Sequence, residues 1–155
     1  MERLLYLVMD IDGTLTDSGI YYDATGNELK RFSTRDGTGI LALRAAGVRM
    51  IVLTGRKCAA TQRRMEELGV EEIFQDVKDK AAFLKQLMDS RGIAKEQIGY
   101  VGDDLNDLAA MQYTGFVACP CDAAEEVKQI ADYICKTRGG SGVMRELAGY
   151  LLQKP

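Results

Sequence analysis

The chain contains no histidine, and that absence removes whole reaction classes. Ser-His-Asp and Cys-His hydrolysis, and metalloprotease sites built on His-Glu-x-x-His, cannot be assembled. Acids and bases must come from Asp, Glu, Lys, Tyr or Cys. Cysteine is sparse: Cys58, Cys119, Cys121 and Cys135 match no zinc-ribbon spacing, and without histidine the mixed Cys/His zinc sites also fall away. They read as reduced, mostly buried thiols, with a redox role for Cys119-Pro120-Cys121 as the alternative. Long apolar runs are lacking too. Leu4 to Met9 is too short for a signal-peptide core with its cleavage site, and Asp10 interrupts it; the expected location is cytoplasmic. A net charge of -3 offers no general attraction to nucleic acid or an anionic membrane. No repeat, low-complexity tract or interdomain linker breaks the 155 residues, a length suited to one domain.

Apolar runs that read as buried strands lie at Leu4–Met9, Val48–Leu53, Ile98–Val101, Gly115–Ala118 and Tyr133–Cys135. Between them, helical spacing of apolar residues marks Gly39–Ala46, Cys58–Leu68, Lys80–Arg91, Leu105–Tyr113, Ala123–Ile130 and Val143–Leu152. Alternating strand and helix predict an α/β fold: a doubly wound, Rossmann-like, mainly parallel sheet with helices on both faces. One segment breaks the rhythm. Ile20–Asp23 and Glu28–Phe32 flank a Gly26-Asn27 turn and predict a β-hairpin inserted after the first strand, at the end of the sheet where chemistry is expected. Arg138-Gly139-Gly140-Ser141-Gly142 reads as a flexible loop before the last helix.

The first strand runs into Asp10-Ile11-Asp12-Gly13-Thr14, which puts two carboxylates one residue apart at a strand's carboxyl end. That is where open α/β sheets bind ligands. Such charge calls for a cation, a shared proton, or both. A calcium loop is a poor fit, because its glycine and bidentate glutamate positions hold Leu15 and Tyr21. Thr54-Gly55-Arg56-Lys57 follows the second strand with a hydroxyl, an amide and two cations suited to phosphate oxygens; by itself Thr54 is equally a helix N-cap. Lys80 opens a helix, where the helix dipole disfavours a cation unless it meets negative charge, and Lys78 is an equal candidate. Gly102-Asp103-Asp104-Leu105-Asn106-Asp107 then ends another strand in three carboxylates within five residues, more than capping requires. Oxygen ligands alone point to magnesium.

Carboxylate pair, Thr, Lys and acidic cluster, in that order, resemble the haloacid dehalogenase superfamily of phosphatases. The resemblance implies that Asp10 is the nucleophile and forms an aspartyl phosphate, that Asp12 moves the proton, and that Thr54 and Lys80 hold the phosphoryl oxygens. It implies Mg²⁺ bound by Asp10, the Asp12 backbone carbonyl and Asp103, with Asp104 and Asp107 in support. There is no room for a cap domain between Asp12 and Thr54 or between Thr54 and Lys80. The chain would be one domain over residues 1–155, with the hairpin at about 18–33 and a C-terminal tail at about 137–155.

The hairpin, Phe32-Ser33-Thr34-Arg35-Asp36-Gly37, Thr54–Lys57, Gly102–Leu105 and the glycine-rich tail are similar to the 3-deoxy-D-manno-octulosonate 8-phosphate phosphatases. These are tetramers whose hairpins and tails complete neighbouring sites, and their product feeds lipopolysaccharide precursor synthesis. A sister group takes nine-carbon sialic-acid-type 9-phosphates; Arg35 and Arg56 favour the eight-carbon acid. An arginine fork suits a sugar-acid carboxylate, which makes Arg56 and Arg35, then Arg138 and Lys57, the candidate substrate residues beside Thr54 and Gly55. Ser141 departs from the arginine many members carry. The other readings are a signalling receiver domain, a catalytically silent relative serving assembly or regulation, and a sugar mutase; motif order, the intact Asp10, Asp12, Lys80 and Asp103, and the absent cap respectively weigh against them.

Overall fold

The computed structural model describes residues 4–153. Strand β1 (Tyr6–Met9) leads to a two-stranded hairpin, β2 (Tyr21–Tyr22) and β3 (Glu28–Leu29), and then to helix α1 (Thr34–Ala45). The chain continues through β4 (Arg49–Leu53), α2 (Ala59–Glu67), β5 (Glu72–Phe74), α3 (Lys80–Arg91) and β6 (Ile98–Val101). It finishes with α4 (Leu108–Met111), β7 (Phe116–Cys119), α5 (Glu125–Ile130), β8 (Tyr133–Ile134) and α6 (Val143–Leu152). Six strands form one parallel sheet in the order β5-β4-β1-β6-β7-β8. Among the described residues no helix is long and apolar enough to cross a membrane.

Because side chains alternate across a strand, the central strands feed two cores. Leu7, Met9, Met50 and Val52 pack with Ile40, Leu43, Met65, Met144 and Leu147 of α1, α2 and α6. On the opposite face Val8, Ile51, Leu53 and Tyr100 pack with Leu84, Met88, Met111 and Val127 of α3, α4 and α5. Strands covered on both sides read as continuous apolar runs, which is why β1, β4 and β6 are visible in the sequence.

Three elements differ from the sequence expectation. Helix α1 begins at Thr34 rather than Gly39, with the Ser33 hydroxyl accepting from Arg35 N. The glycines at 37 and 39 hide its first turn; Gly39 sits against the Met144 carbonyl of α6, where a Cβ would come within 2.2 Å. Strand β5 was not expected, being a three-residue edge strand with a glutamate in it. The helix expected over Leu105–Tyr113 is a 3₁₀ turn, Leu105–Asp107, followed by the short α4. The Asp107 carboxylate turns back onto the Asp103 and Asp104 amides and holds that turn.

Candidate active site

Strand order decides what meets Asp10. With β1 between β4 and β6, the residues after those three strands, Asp10, Thr54 and Asp103, come together at the carboxyl ends of the strands. Helix α3 adds Lys80 from the loop after β5. Its ammonium is buried and donates to Asp10 Oδ1 at 2.7 Å and to Asp107 Oδ1 at 2.8 Å. Burial works against the charge, but the two carboxylates outweigh it and hold the Lys80 ammonium above its ordinary value. Lys78 instead reaches the Gly55 carbonyl at 2.9 Å and Asp76 at 2.7 Å. Of the two lysines, Lys80 is the one that meets Asp10.

Oxygens of Asp10, Asp103 and Asp107 lie within 4.8 Å of one another. Asp107 is already committed, accepting from Lys80, from Tyr100 Oη at 2.7 Å, and from the Asp103 and Asp104 amides. Asp10 and Asp103 are not balanced in this way. Burial, then the neighbouring Asp107 charge, pushes the Asp10 carboxyl up despite Lys80. Burial, then its hydrogen bond to Asp10 and the nearby charges, pushes Asp103 up further. The pair holds a proton in the absence of a cation, and a hard divalent ion fits the same pocket of oxygen atoms. Gly13 lies over it at φ +89°, where a Cβ would stand 1.9 Å from Asp103 Oδ2. The turn therefore requires glycine on two grounds, conformation and space. Thr14 Oγ1 donates to Asp103 Oδ1 at 3.2 Å.

The hydroxyl of buried Thr54 is not spent on capping, since α2 starts only at Ala59 with Cys58 in the cap position. Asp104 stands outside the cluster. Its exposed carboxylate accepts from Leu105 N at 2.8 Å as a cap, so support for Asp103 comes from Asp107.

The expected substrate cations divide. Arg56 is at the site, with Nε 4.0 Å from Asp12 Oδ2 and Nη2 donating to Glu28 Oε1 at 2.8 Å. Arg35 packs on Gly142 and lines a separate concavity with Thr137, Ser141, Arg145 and Glu146. Helix α1 turns it that way because Asp36, the next residue, is buried and caps α6 through Gly142 N and Met144 N. Lys57 lines a depression with Cys58, Ala59 and Gln62. Arg138 is exposed and lies 3.5 Å from Asp122. The glycine-rich tail is not a free loop: Gly139 and Gly140 are buried, and Gly140 N donates to the Thr14 carbonyl at 3.0 Å.

Sequence reasoning passed over Lys30, Glu28 and Tyr100. Lys30 follows β3 and donates to Asp12 and, at 3.3 Å, to Glu28. The only hint was the charged Glu28-Leu29-Lys30-Arg31 run in a hairpin already placed at the catalytic end.

Residues 70–147 match the family of haloacid dehalogenase-like hydrolases. Over 153 residues the chain is 37% identical to the 3-deoxy-D-manno-octulosonate 8-phosphate phosphatase KdsC of Haemophilus influenzae, covering 99% of this chain and 85% of that one. The Escherichia coli protein of the same name is 35% identical, over 97% of this chain and 80% of its own. A solved structure of the Moraxella catarrhalis 3-deoxy-D-manno-octulosonate 8-phosphate phosphatase, in complex with a magnesium ion, a phosphate ion and a KDO molecule, superposes with a TM-score of 0.92 at 37% identity. It is matched over 97% of this chain and 86% of that one. A cobalt-bound form from Haemophilus influenzae gives a TM-score of 0.91 at 37% identity, over 98% and 89% of the two chains.

Proposed function

This chain belongs to the haloacid dehalogenase-like hydrolases, and from that membership we propose that it is a Mg²⁺-dependent phosphatase hydrolysing 3-deoxy-D-manno-octulosonate 8-phosphate to the free sugar acid and phosphate. The observation that carries the reading is the buried Lys80 ammonium held between Asp10 and Asp107, with Asp103 beside them. Negative charge packed this closely around one lysine suits a site built to receive a cation and a phosphoryl group together.

Asp10 attacks phosphorus as a carboxylate, so the phosphoryl group passes from the substrate oxygen to Asp10. Asp12 gives a proton to the leaving alcohol and later takes one from the water that hydrolyses the aspartyl phosphate. Lys80 and Thr54 hold the equatorial oxygens, over which the transition state spreads its charge. Asp10, the Asp12 carbonyl and Asp103 would hold Mg²⁺, which when bound screens the phosphate from the anionic nucleophile. Asp107 keeps Lys80 and the turn bearing Asp103 in register. Arg56 is the partner for the sugar-acid carboxylate, since its side chain is 43% exposed at the edge of the site.

The same reading covers assembly. Ile20, Tyr21, Tyr22 and Leu29 are all exposed on the hairpin, apolar side chains on its two faces that suit contact with further copies in a homotetramer. The four cysteines are free, and this fits a cytoplasmic protein.

A phosphate-release assay with Mg²⁺ on the eight-carbon 8-phosphate and the nine-carbon 9-phosphates tests the assignment. Turnover is expected to favour the eight-carbon acid by about tenfold or more in kcat/KM, as a built polar contact allows. Asp10→Asn should remove it. Turnover of no phosphate monoester, or full activity in Asp10→Asn, would overturn the mechanism. Equal use of both acids would overturn only the substrate.

A further inference from the structure

Asp12, to which the reading above gives the proton transfers, does not stand free. One carboxylate oxygen, Oδ1, accepts from the Lys30 ammonium. That side chain is only 2% exposed, and Glu28 Oε1 lies 3.3 Å from the same nitrogen. Glu28 Oε1 also accepts from Arg56 at 2.8 Å, and Arg56 Nε stands 4.0 Å from the other Asp12 oxygen, Oδ2. The four side chains close a ring of alternating charge: Asp12, Lys30, Glu28, Arg56. A lysine on a two-stranded hairpin would ordinarily leave its ammonium in water. Here burial opposes the charge, yet the bonds to Asp12 and Glu28 outweigh it, so the ammonium is held above its ordinary value. Among the described residues the hairpin pairs with no strand of the main sheet, and this ring brings its base to the catalytic turn.

We propose that Lys30 is a positioning residue for Asp12, and that Glu28 links it to the arginine facing the substrate. The proposal rests on the reading of Asp12 as the proton-transfer group. With Oδ1 held by Lys30, rotation of the carboxylate is stopped and Oδ2 is the oxygen presented to the leaving group. General acid–base transfer depends on such placement. Glu28 shares one oxygen between Lys30 and Arg56, so a sugar-acid carboxylate arriving at Arg56 acts on the same network that orients Asp12. Recognition of the acid end and proton transfer at the phosphate end are joined through the hairpin of the same chain.

Leaving-group dependence separates positioning from a merely structural tie. Expulsion of a sugar alkoxide needs the proton from Asp12, whereas p-nitrophenolate leaves without it. In single-turnover experiments with Mg²⁺, Lys30→Met should slow cleavage of an alkyl sugar phosphate by about tenfold or more. Release of p-nitrophenolate from p-nitrophenyl phosphate should change little, and Lys30→Arg should recover part of the loss. Equal slowing of both substrates, no slowing, or an arginine variant no better than methionine would overturn the proposal. Should Lys30→Met not fold, Glu28→Gln is the second probe. It should slow the alkyl substrate selectively and raise KM for the sugar-acid phosphate but not for p-nitrophenyl phosphate; the absence of both effects overturns the proposal. Asp12→Asn separates the two layers. If it lacks leaving-group selectivity, the role of Asp12 fails and the proposal with it. If it has that selectivity and Lys30→Met does not, only the role of Lys30 fails.

Discussion

Asp10 and Asp103 set the pH behaviour of the metal-free protein. Both carboxyls are held above the ordinary carboxylate value of 3.8, Asp10 to about 6 and Asp103 to about 9, chiefly by burial. Above pH 3.8 the unfolded chain has therefore released protons that the folded chain retains. A carboxyl raised on folding stabilises below its unfolded value and loses that contribution as pH rises through its folded value. With EDTA, the melting temperature should fall as pH climbs from 3.8 to about 9, more steeply up to about 6, where both carboxyls contribute, than above it, where only Asp103 does. With Mg²⁺ the fall should flatten, because the cation replaces the proton, and magnesium binding should release protons. Calorimetric unfolding across that window with and without Mg²⁺ checks both; a metal-free protein more stable at high pH contradicts the account. The carboxylates of Asp10 and of the last acidic cluster were legible in the sequence because a strand ending in carboxylates needs no partner to be noticed. Which of Lys78 and Lys80 meets Asp10 was not, since Asp10 and Asp107 lie 70 and 27 residues from Lys80.

The elements that shape the catalytic turn are the hairpin and the glycine-rich tail. Gly139 lies so close to the turn that a Cβ would sit 1.9 Å from the Gly13 carbonyl oxygen and 3.0 Å from that of Thr16. Backbone cannot swing aside as a side-chain tip can. Gly139→Ala should cost about 1–3 kcal/mol by overpacking and lower kcat, since the strain falls on the turn that carries Asp10 and Asp12. Gly149→Ala, on α6 with nothing within 4 Å of its Cβ position, should do neither. Urea unfolding and steady-state turnover of the two variants compare the effects. In sequence the tail reads as flexible because Arg138–Gly142 is rich in glycine. The structure reverses that reading: the glycines are there because the backbones of two distant segments touch. The hairpin was visible from its turn, but not the inward ammonium of Lys30, because a charged residue in an exposed hairpin normally points to water.

At the scale of the whole molecule, a mainly parallel sheet and five of its six strands were legible from alternating apolar runs and helical periodicity. The edge strand β5 was missed because a short, half-buried strand has no apolar run. Exposed Ile20 and Tyr22, at 53% and 62%, are alternate residues of the hairpin and lie outside both cores. Sedimentation of the full chain is expected to give a tetramer, and Ile20→Ser with Tyr22→Ser should shift it to smaller species with weakened activity. A fully active monomer would refute shared sites.

By itself the sequence, with no histidine and with Asp10, Asp12, Thr54, Lys80 and Asp103 in a fixed order, carries the resemblance to the haloacid dehalogenase phosphatases that implies the reaction class. The residues alone call for a cation or shared proton where strand ends meet in a parallel sheet. Only the tertiary structure decided the partners. Lys80 is joined to Asp10 and Asp107, Lys30 to Asp12, and the tail to Thr14, while Arg35 and Arg138 turn elsewhere. These are contacts between residues 18 to 126 positions apart, and burial, which no local pattern reports, decides which of several like charges is drawn inward.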